Sequence, residues 1–218
     1  MELIASGREA DVFVIDGNRI LRRVRNRDTS CEREAAMMEW VRRQGYPVPQ
    51  VFSVAGPDMV LQRVDGPTMV DSLLSGTTTP DDAGRTMAEL HERLHTLKPP
   101  SGSNPDHVVR HLDLHPLNIL TAPSGAVLID WHNSDVGPGK VDVALTAVIL
   151  AQVVLSPPPD AGVAERVPIV RELLEAFLRH AGPLWASDVE AAVRYRSHDA
   201  NLRPAERAAL ASVPGMLL

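Results

Sequence analysis

Two short stretches of this sequence place chemistry-bearing side chains at spacings that suit catalysis. The first is His111-Leu112-Asp113-Leu114-His115-Pro116-Leu117-Asn118, an H-x-D-x-x-x-x-N, followed by an apolar run, Ala126 to Ile129, that ends on Asp130 and Trp131. A carboxylate, an amide and a second carboxylate are the set that phosphoryl transfer uses. One carboxylate orients an attacking hydroxyl and accepts its proton, while amide and carboxylate oxygens hold Mg²⁺ against the phosphates of ATP. On this reading Asp113 is the base, and Asn118 and Asp130 are the metal ligands. The second stretch is His91-Glu92-Arg93-Leu94-His95, an H-E-x-x-H in a helical pattern, which would set two imidazoles on one face for zinc with Glu92 as base.

Composition does not choose between the two patterns, but their surroundings do. Zinc needs a third protein ligand, and the chain has no glutamate between Glu92 and Glu165 and no histidine at the extended spacing beyond His95. His91 and His95 are therefore expected to be packing or surface residues of an amphipathic helix. His107, His111 and His115 also stand four apart, but Pro116 breaks any common helix face. The first pattern gains from its neighbours, because a strand that ends in Asp130 projects its carboxylate into a cleft.

The elements that must position these groups can be read from periodicity. Ala10 to Ile15 and Arg19 to Val24 are two β-rich runs around Asp16-Gly17-Asn18, a turn that tolerates positive φ and predicts a hairpin. A helix is expected from Thr29 or Ser30, with Glu32 and Glu34 near its positive end and a stop at Gly45. A second β pair, Gln50 to Val54 and Met59 to Val64, follows around Gly56-Pro57-Asp58. Beyond Gly66-Pro67 helical spacing takes over. Thr79 caps, Pro80 is the first helical residue, and Met87, Leu90, Leu94 and Leu97 share a face. Val141 to Leu155 reads as a buried core helix, and Ala164 to His180 and Ser187 to Ser197 as amphipathic ones. The expected division is a mostly β N-terminal lobe, residues 1–64, and a mostly helical C-terminal lobe, residues 65–218.

The bulk properties agree. At 218 residues and 23.7 kDa, with 44% hydrophobic residues, the chain can bury a sizeable core. Its 28 acidic against 22 basic residues leave a net charge of −6, so no overall basic field exists to hold nucleic acid or an anionic membrane. Cys31 is the single cysteine, which excludes an intrachain disulfide. The longest apolar stretch is shorter than the roughly 20 residues of a bilayer span. No basic segment followed by an apolar run opens the chain, and a cytoplasmic protein is expected.

Taken in order, the D-L-H-P-L-N run from Asp113 to Asn118, the L-I-D-W run from Leu128 to Trp131, and Asp142-Val143-Ala144 resemble the aminoglycoside phosphotransferase and choline kinase family. The resemblance covers most of residues 5–155. It implies an α+β, bilobal, protein-kinase-like fold: an N-terminal antiparallel-sheet lobe with one helix and a mostly helical C-terminal lobe. It also implies an ATP-dependent O-phosphotransferase that uses Mg²⁺ and a small hydroxylated acceptor such as an aminoglycoside-like antibiotic, an amino alcohol or another metabolite.

Residue by residue, the resemblance makes Gly7 to Val12 the phosphate loop. Gln62 to Val64 become the hinge whose backbone meets adenine, Val12 and Ile20 the base sandwich, and Glu34 the helix glutamate of an ion pair. It gives His111 and Asp142 support of the catalytic loop. His132 and Asp135, just past the metal aspartate, are candidates to touch the acceptor. One departure stands out: the family's phosphate-binding lysine falls within Ile20-Leu21-Arg22-Arg23, and the only lysines are Lys98 and Lys140. Period-2 alternation puts Arg22 on the face of Ile20, toward the nucleotide, so Arg22 takes the lysine's place. Because arginine is not an isosteric replacement, a second reading is a nucleotide-binding protein with little transfer activity, and a zinc hydrolase on His91 and His95 is a third.

Overall fold

In the computed structural model, which describes residues 1–7, 9–159 and 163–218, the chain opens with a five-stranded antiparallel sheet. Its strands are β1 (Glu2–Ser6), β2 (Ala10–Val14), β3 (Arg19–Val24), β4 (Val51–Ala55) and β5 (Asp58–Gln62), in the spatial order β1-β2-β3-β5-β4. The β2–β3 hairpin forms where the turn residues placed it. The Asp16 side chain accepts from the Asn18 N–H at 2.9 Å and closes the turn. Helix α1 (Glu32–Arg43) crosses from β3 to β4. It begins later than Thr29 or Ser30, because Cys31 occupies the cap position and Ser30 Oγ instead accepts from the Glu32 N–H at 3.2 Å. It ends as expected, with Gly45 at φ +83° and its N–H on Arg42 O.

The register of this sheet sets the site. Val12 lies opposite Arg22 and Arg22 opposite Met59, while Ile20 lies opposite Val14 and Leu61. Directly opposed residues share a face, and so do residues two apart. Val12, Ile20 and Arg22 therefore point to the same side, as alternation predicted. Arg23 points to the other, where both its Nε and Nη2 reach Asp58.

After β5 the chain passes Gly66, where φ is +156° and an added Cβ would sit 2.5 Å from Thr121 O, so only glycine fits this approach. Helix α2 (Met69–Leu74) follows, closed by a capping box between Thr68 and Asp71, and then α3 (Pro80–His95), capped by Thr79. Two short ribbons come next. One pairs β6 (Val108–Arg110) with β9 (Asp135–Gly137), and the other pairs β7 (Ile119–Ala122) with β8 (Gly125–Leu128). The rest is helical: α4 (Gly139–Leu155), α5 (Val163–Ala181), α6 (Ala186–Ser197), α7 (Pro204–Ala209) and α8 (Val213–Leu217). The fold is the bilobal, protein-kinase-like α+β arrangement.

Helix α4 is the spine of the second lobe. Asp142 to Gln152 are buried without a break, and α5, α6 and α8 surround it. A helix that is apolar all round must be covered all round. Against α3, helix α5 comes so close that an added Cβ on Gly84 would lie 2.6 Å from Phe177 N. No helix among the described residues is long and apolar enough to cross a membrane.

Candidate active site

The catalytic-loop pattern folds into a turn in which each residue is held from a different direction. Asp113 follows Leu112, whose φ of +62° is left-handed, and Asp130 has the same φ of +62°. These are the only two non-glycine residues with positive φ among those described. Such conformations cost free energy and persist only where the surroundings over-determine them. Both surround the same spot.

Around Leu112 the determinant is Asp142, on the first turn of α4 and fully buried. Its Oδ1 accepts the Leu112 N–H at 2.8 Å and its Oδ2 accepts the His111 N–H at 3.2 Å. Burial pushes the Asp142 carboxyl up, but His91 and His95 outweigh it and hold it well below the usual carboxylate range. Around Asp130 the determinants are His111, whose Nε2 meets Ile129 O at 3.1 Å, and Trp131, whose buried indole N–H donates to Leu128 O at 3.0 Å. The His111 and Trp131 rings meet edge to face with centroids 4.9 Å apart. Burial lowers the basicity of His111 against the pull of Asp142, Asp113 and Asp130, so this imidazole lies within reach of all three carboxylates.

Asn118 closes the 3₁₀ turn Pro116–Asn118. Its Nδ2 donates to Asp113 O at 3.0 Å and approaches Asp113 Oδ2 at 3.3 Å, and the Ile129 N–H donates to Asn118 O at 2.9 Å. With Nδ2 turned to Asp113, Oδ1 of Asn118 accepts no hydrogen bond from the described residues. The Asp113 carboxylate is 21% exposed. Burial raises its pKa, but the His115 imidazole, 3.6 Å away, and the charges of His115, His111 and Arg196 bring it down to about 2. Asp113 is thus ionised and keeps an open edge.

From the first lobe, Arg22 enters with a forked contact: Nη1 to Glu34 Oε2 at 2.8 Å and Nη2 to Asp130 Oδ1 at 3.0 Å. Burial works against charge on this guanidinium, but Glu34 and Asp130 outweigh it. Glu34 itself is raised by burial despite Arg22. The helix glutamate, the arginine that replaces lysine and the strand-end aspartate therefore form one chain of contacts. Asp130 keeps Oδ2 free of hydrogen bonds to the described residues. With Asn118 Oδ1 it offers two hard oxygen donors, the chemistry a Mg²⁺ site requires.

Other residues singled out in the sequence land elsewhere. Gly7 donates its N–H to Ala10 O at 2.9 Å and closes the turn between β1 and β2, so that amide is not turned to a phosphate; Arg8 of the same loop lies outside the described residues. At the hinge, the Gln62 N–H is committed to Gln50 O at 2.8 Å, whereas Val64 makes no hydrogen bond to the described residues. His132 lies 3.9 Å from Glu9 and acts electrostatically on Glu34. Asp135 is paired with Arg110 through both oxygens, at 2.8 and 2.9 Å.

The third ligand missing from the H-E-x-x-H reading is present in space. His91, His95 and Asp142 bring three ligand-type atoms within 4.8 Å of one another. Yet both oxygens of Asp142 already accept hydrogen bonds, two of them from backbone, so the cluster is a brace rather than an open metal site. Sequence reasoning also gave no role to 195–206. There Arg196 reaches Gln152 and Asp199, and Asn201 Nδ2 crosses to Glu9 Oε1 at 2.7 Å. No local motif marks these residues.

Comparison with known proteins bears on the fold in which these residues sit. The model of the phosphotransferase enzyme family matches residues 1–107. Among solved structures, an amicoumacin kinase in complex with AMP-PNP and Ca²⁺ is 14% identical, with a TM-score of 0.53, and the alignment covers 99% of this chain and 87% of that one. A choline/ethanolamine kinase family protein from Mesorhizobium loti is 17% identical, with a TM-score of 0.57, covering 99% of this chain and 78% of that one. A thermostable mutant of an aminoglycoside phosphotransferase is 12% identical, with a TM-score of 0.60, covering 99% and 94% respectively. No curated protein matches the sequence. The solved structures share the fold, and the family match, over residues 1–107, lies N-terminal to the Asp113–Asn118 and Leu128–Trp131 runs.

Proposed function

We infer that the chain, a small-molecule phosphotransferase of the family matched over residues 1–107, moves the γ-phosphoryl group of ATP to a hydroxyl of a small acceptor. Residues 1–64 bind the nucleotide, and residues 65–218 carry the catalytic loop and the acceptor surface. The observation that carries this reading is the unbroken line of contacts from Glu34 through Arg22 to Asp130, and from Ile129 through Asn118 to Asp113. AMP-PNP and Ca²⁺ in the amicoumacin kinase support the nucleotide and the divalent cation.

Asp113 accepts the hydroxyl proton of the acceptor on its exposed carboxylate edge as the oxygen attacks the γ-phosphorus. The new O–P bond forms as the bond to the β-phosphate oxygen breaks, and ADP leaves. Asn118 and Asp130 would hold Mg²⁺, which neutralises phosphate charge when bound. Arg22 holds phosphate oxygens in place of a lysine. Val12 and Ile20 cover one face of the base, and the Val64 backbone meets its edge.

The acceptor surface favours a neutral or acidic alcohol over a polycation. Of the carboxylates on this side, Asp135 is paired with Arg110 and Asp199 with Arg196, and Arg196 acts directly on the charge of Asp113. A polycation needs unpaired carboxylates to replace its lost hydration. A weak or inactive nucleotide binder is the second reading, favoured by one contact: Arg22 occupies Asp130 Oδ1.

A mass-spectrometric search for the gain of one phosphoryl group, across sugars, hydroxy acids, amino alcohols, macrolides and aminoglycosides, tests both levels. The expected result is transfer to a neutral or acidic member that Asp113→Asn abolishes while AMP-PNP still binds. Transfer confined to the aminoglycosides would overturn the acceptor assignment, and unchanged turnover in Asp113→Asn would overturn the base.

A further inference from the structure

The H-E-x-x-H histidines of α3 touch no group in the reaction described above, yet His91 is among the most enclosed polar residues of the second lobe and His95 is half-buried beside it. His91 is 2% exposed, and its ring packs against His95 and Phe177. We propose that His91 and His95 are positioning residues that grip the catalytic loop on both sides of Asp113. This rests on the reading of Asp113 as the base.

One grip runs through Asp142. His95 Nε2 donates to Asp142 Oδ2 at 3.0 Å, and the same carboxylate receives the N–H groups of His111 and Leu112, the two residues before Asp113. Without His95 only the His111 and Leu112 N–H groups would hydrogen-bond the buried carboxylate, with His91 Nδ1 3.4 Å away, leaving it freer to rotate about its last torsion. Leu112 would then lose the partner that fixes its left-handed backbone.

The other grip runs through Thr146. A threonine hydroxyl has one proton, and Thr146 Oγ1 gives it to Leu114 O, the residue after Asp113, at 2.8 Å. The 2.9 Å contact between His91 Nε2 and Thr146 Oγ1 must therefore have His91 as donor, which places the ring proton on Nε2. His91 thereby fixes the direction in which Thr146 points. The i, i+4 spacing sets both imidazoles over the first turns of α4, and one helix face holds residues 111, 112 and 114 around the base.

The same three groups have the spacing of a zinc site. Asp142 is engaged by three hydrogen-bond partners and His91 Nε2 by Thr146, while His91 Nδ1, 3.4 Å from Asp142 Oδ2, makes no hydrogen bond to the described residues. What the geometry supplies is a fixed base, and a displacement near 1 Å at such a group costs about 100-fold in rate.

The test compares His95→Leu, His95→Gln and Thr146→Val with wild type, measuring kcat, KM for ATP, and hydrogen exchange of the His111 and Leu112 amides. Gln keeps a donor near the position of Nε2. His95→Leu is expected to lower kcat about 100-fold at unchanged KM for ATP, His95→Gln to recover most of it, and Thr146→Val to lower kcat in the same way. Exchange of the His111 and Leu112 amides should quicken in His95→Leu and not in His95→Gln, while α4 keeps its protection. The proposal is overturned by unchanged kcat and exchange in His95→Leu. It is equally overturned by losses that follow a general fall in core protection, or by stoichiometric zinc in the wild type that His95→Leu removes. Should the wild type transfer phosphate to no acceptor, the functional reading fails, and the exchange arm still decides the positioning.

Discussion

Arg22 and Asp130, 108 residues apart, meet at 3.0 Å, and the same guanidinium holds Glu34 at 2.8 Å. A lysine ammonium is one point of charge and a guanidinium is a fork. Arg22 can therefore hold the helix glutamate and the metal aspartate at once, and a cation arriving at Asp130 must compete with it.

Arg22→Lys should keep the contact to Glu34 and release Asp130. The Mg²⁺ concentration that half-saturates AMP-PNP-dependent thermal stabilisation is expected to fall about two- to fivefold, the worth of a partly exposed ion pair. An unchanged or raised midpoint would show that Arg22 does not compete for Asp130.

Asp142 makes the protein acid-sensitive in a defined direction. Its folded-state pKa lies well below the ordinary 3.8, so the stability it contributes is fully present above pH 3.8 and is lost as the pH falls from there through the lower, folded-state value. The melting temperature of Asp142→Asn should lie below that of wild type at pH 6, and the gap should shrink steadily below pH 3.8. A gap independent of pH would contradict the assignment.

Gly84→Ala should destabilise, although alanine is the better helix former by about 1 kcal/mol. The new methyl would meet the backbone of α5 at 2.6 Å, and overpacking of this kind costs about 1–3 kcal/mol. Thermal denaturation that shows a higher melting temperature would mean that α3 and α5 can separate freely.

Arg196→Gln should raise KM for a neutral or acidic acceptor while leaving KM for ATP alone, because Arg196 stands near Asp113 on the acceptor side and makes no contact with the first lobe among the described residues. Steady-state kinetics that show the rise in the ATP term instead would move Arg196 out of the acceptor surface.

Much of this was legible in the residues themselves, where local chemistry decides. Asp16-Gly17-Asn18 announced the first hairpin, Thr79-Pro80 the start of α3, and the run from Val141 to Leu155 the buried spine. The Asp113–Asn118 turn and Asp130 were picked out by their spacing, and the structure links Ile129, next to Asp130, to Asp113 through Asn118. Strand β1 was not, since all five of its residues are exposed and no burial pattern marks it. The three-residue strands β6 and β9 are too short to show a period. The roles of Asp142 toward His91 and His95, and of residues 195–206 toward the cleft, depend on contacts across many tens of residues, which no local spacing encodes. The family resemblance implies a hinge role for Gln62, and the pairing of β5 beside β4 shows its N–H already taken by Gln50 O.

Calorimetric titration of AMP-PNP with Mg²⁺ into wild type, Asp113→Asn and Asp130→Ala tests the central claim most directly. Wild type and Asp113→Asn should each bind one nucleotide in a metal-dependent manner, and Asp130→Ala should lose the metal dependence with most of the affinity. Equal, metal-dependent binding by Asp130→Ala would contradict the site.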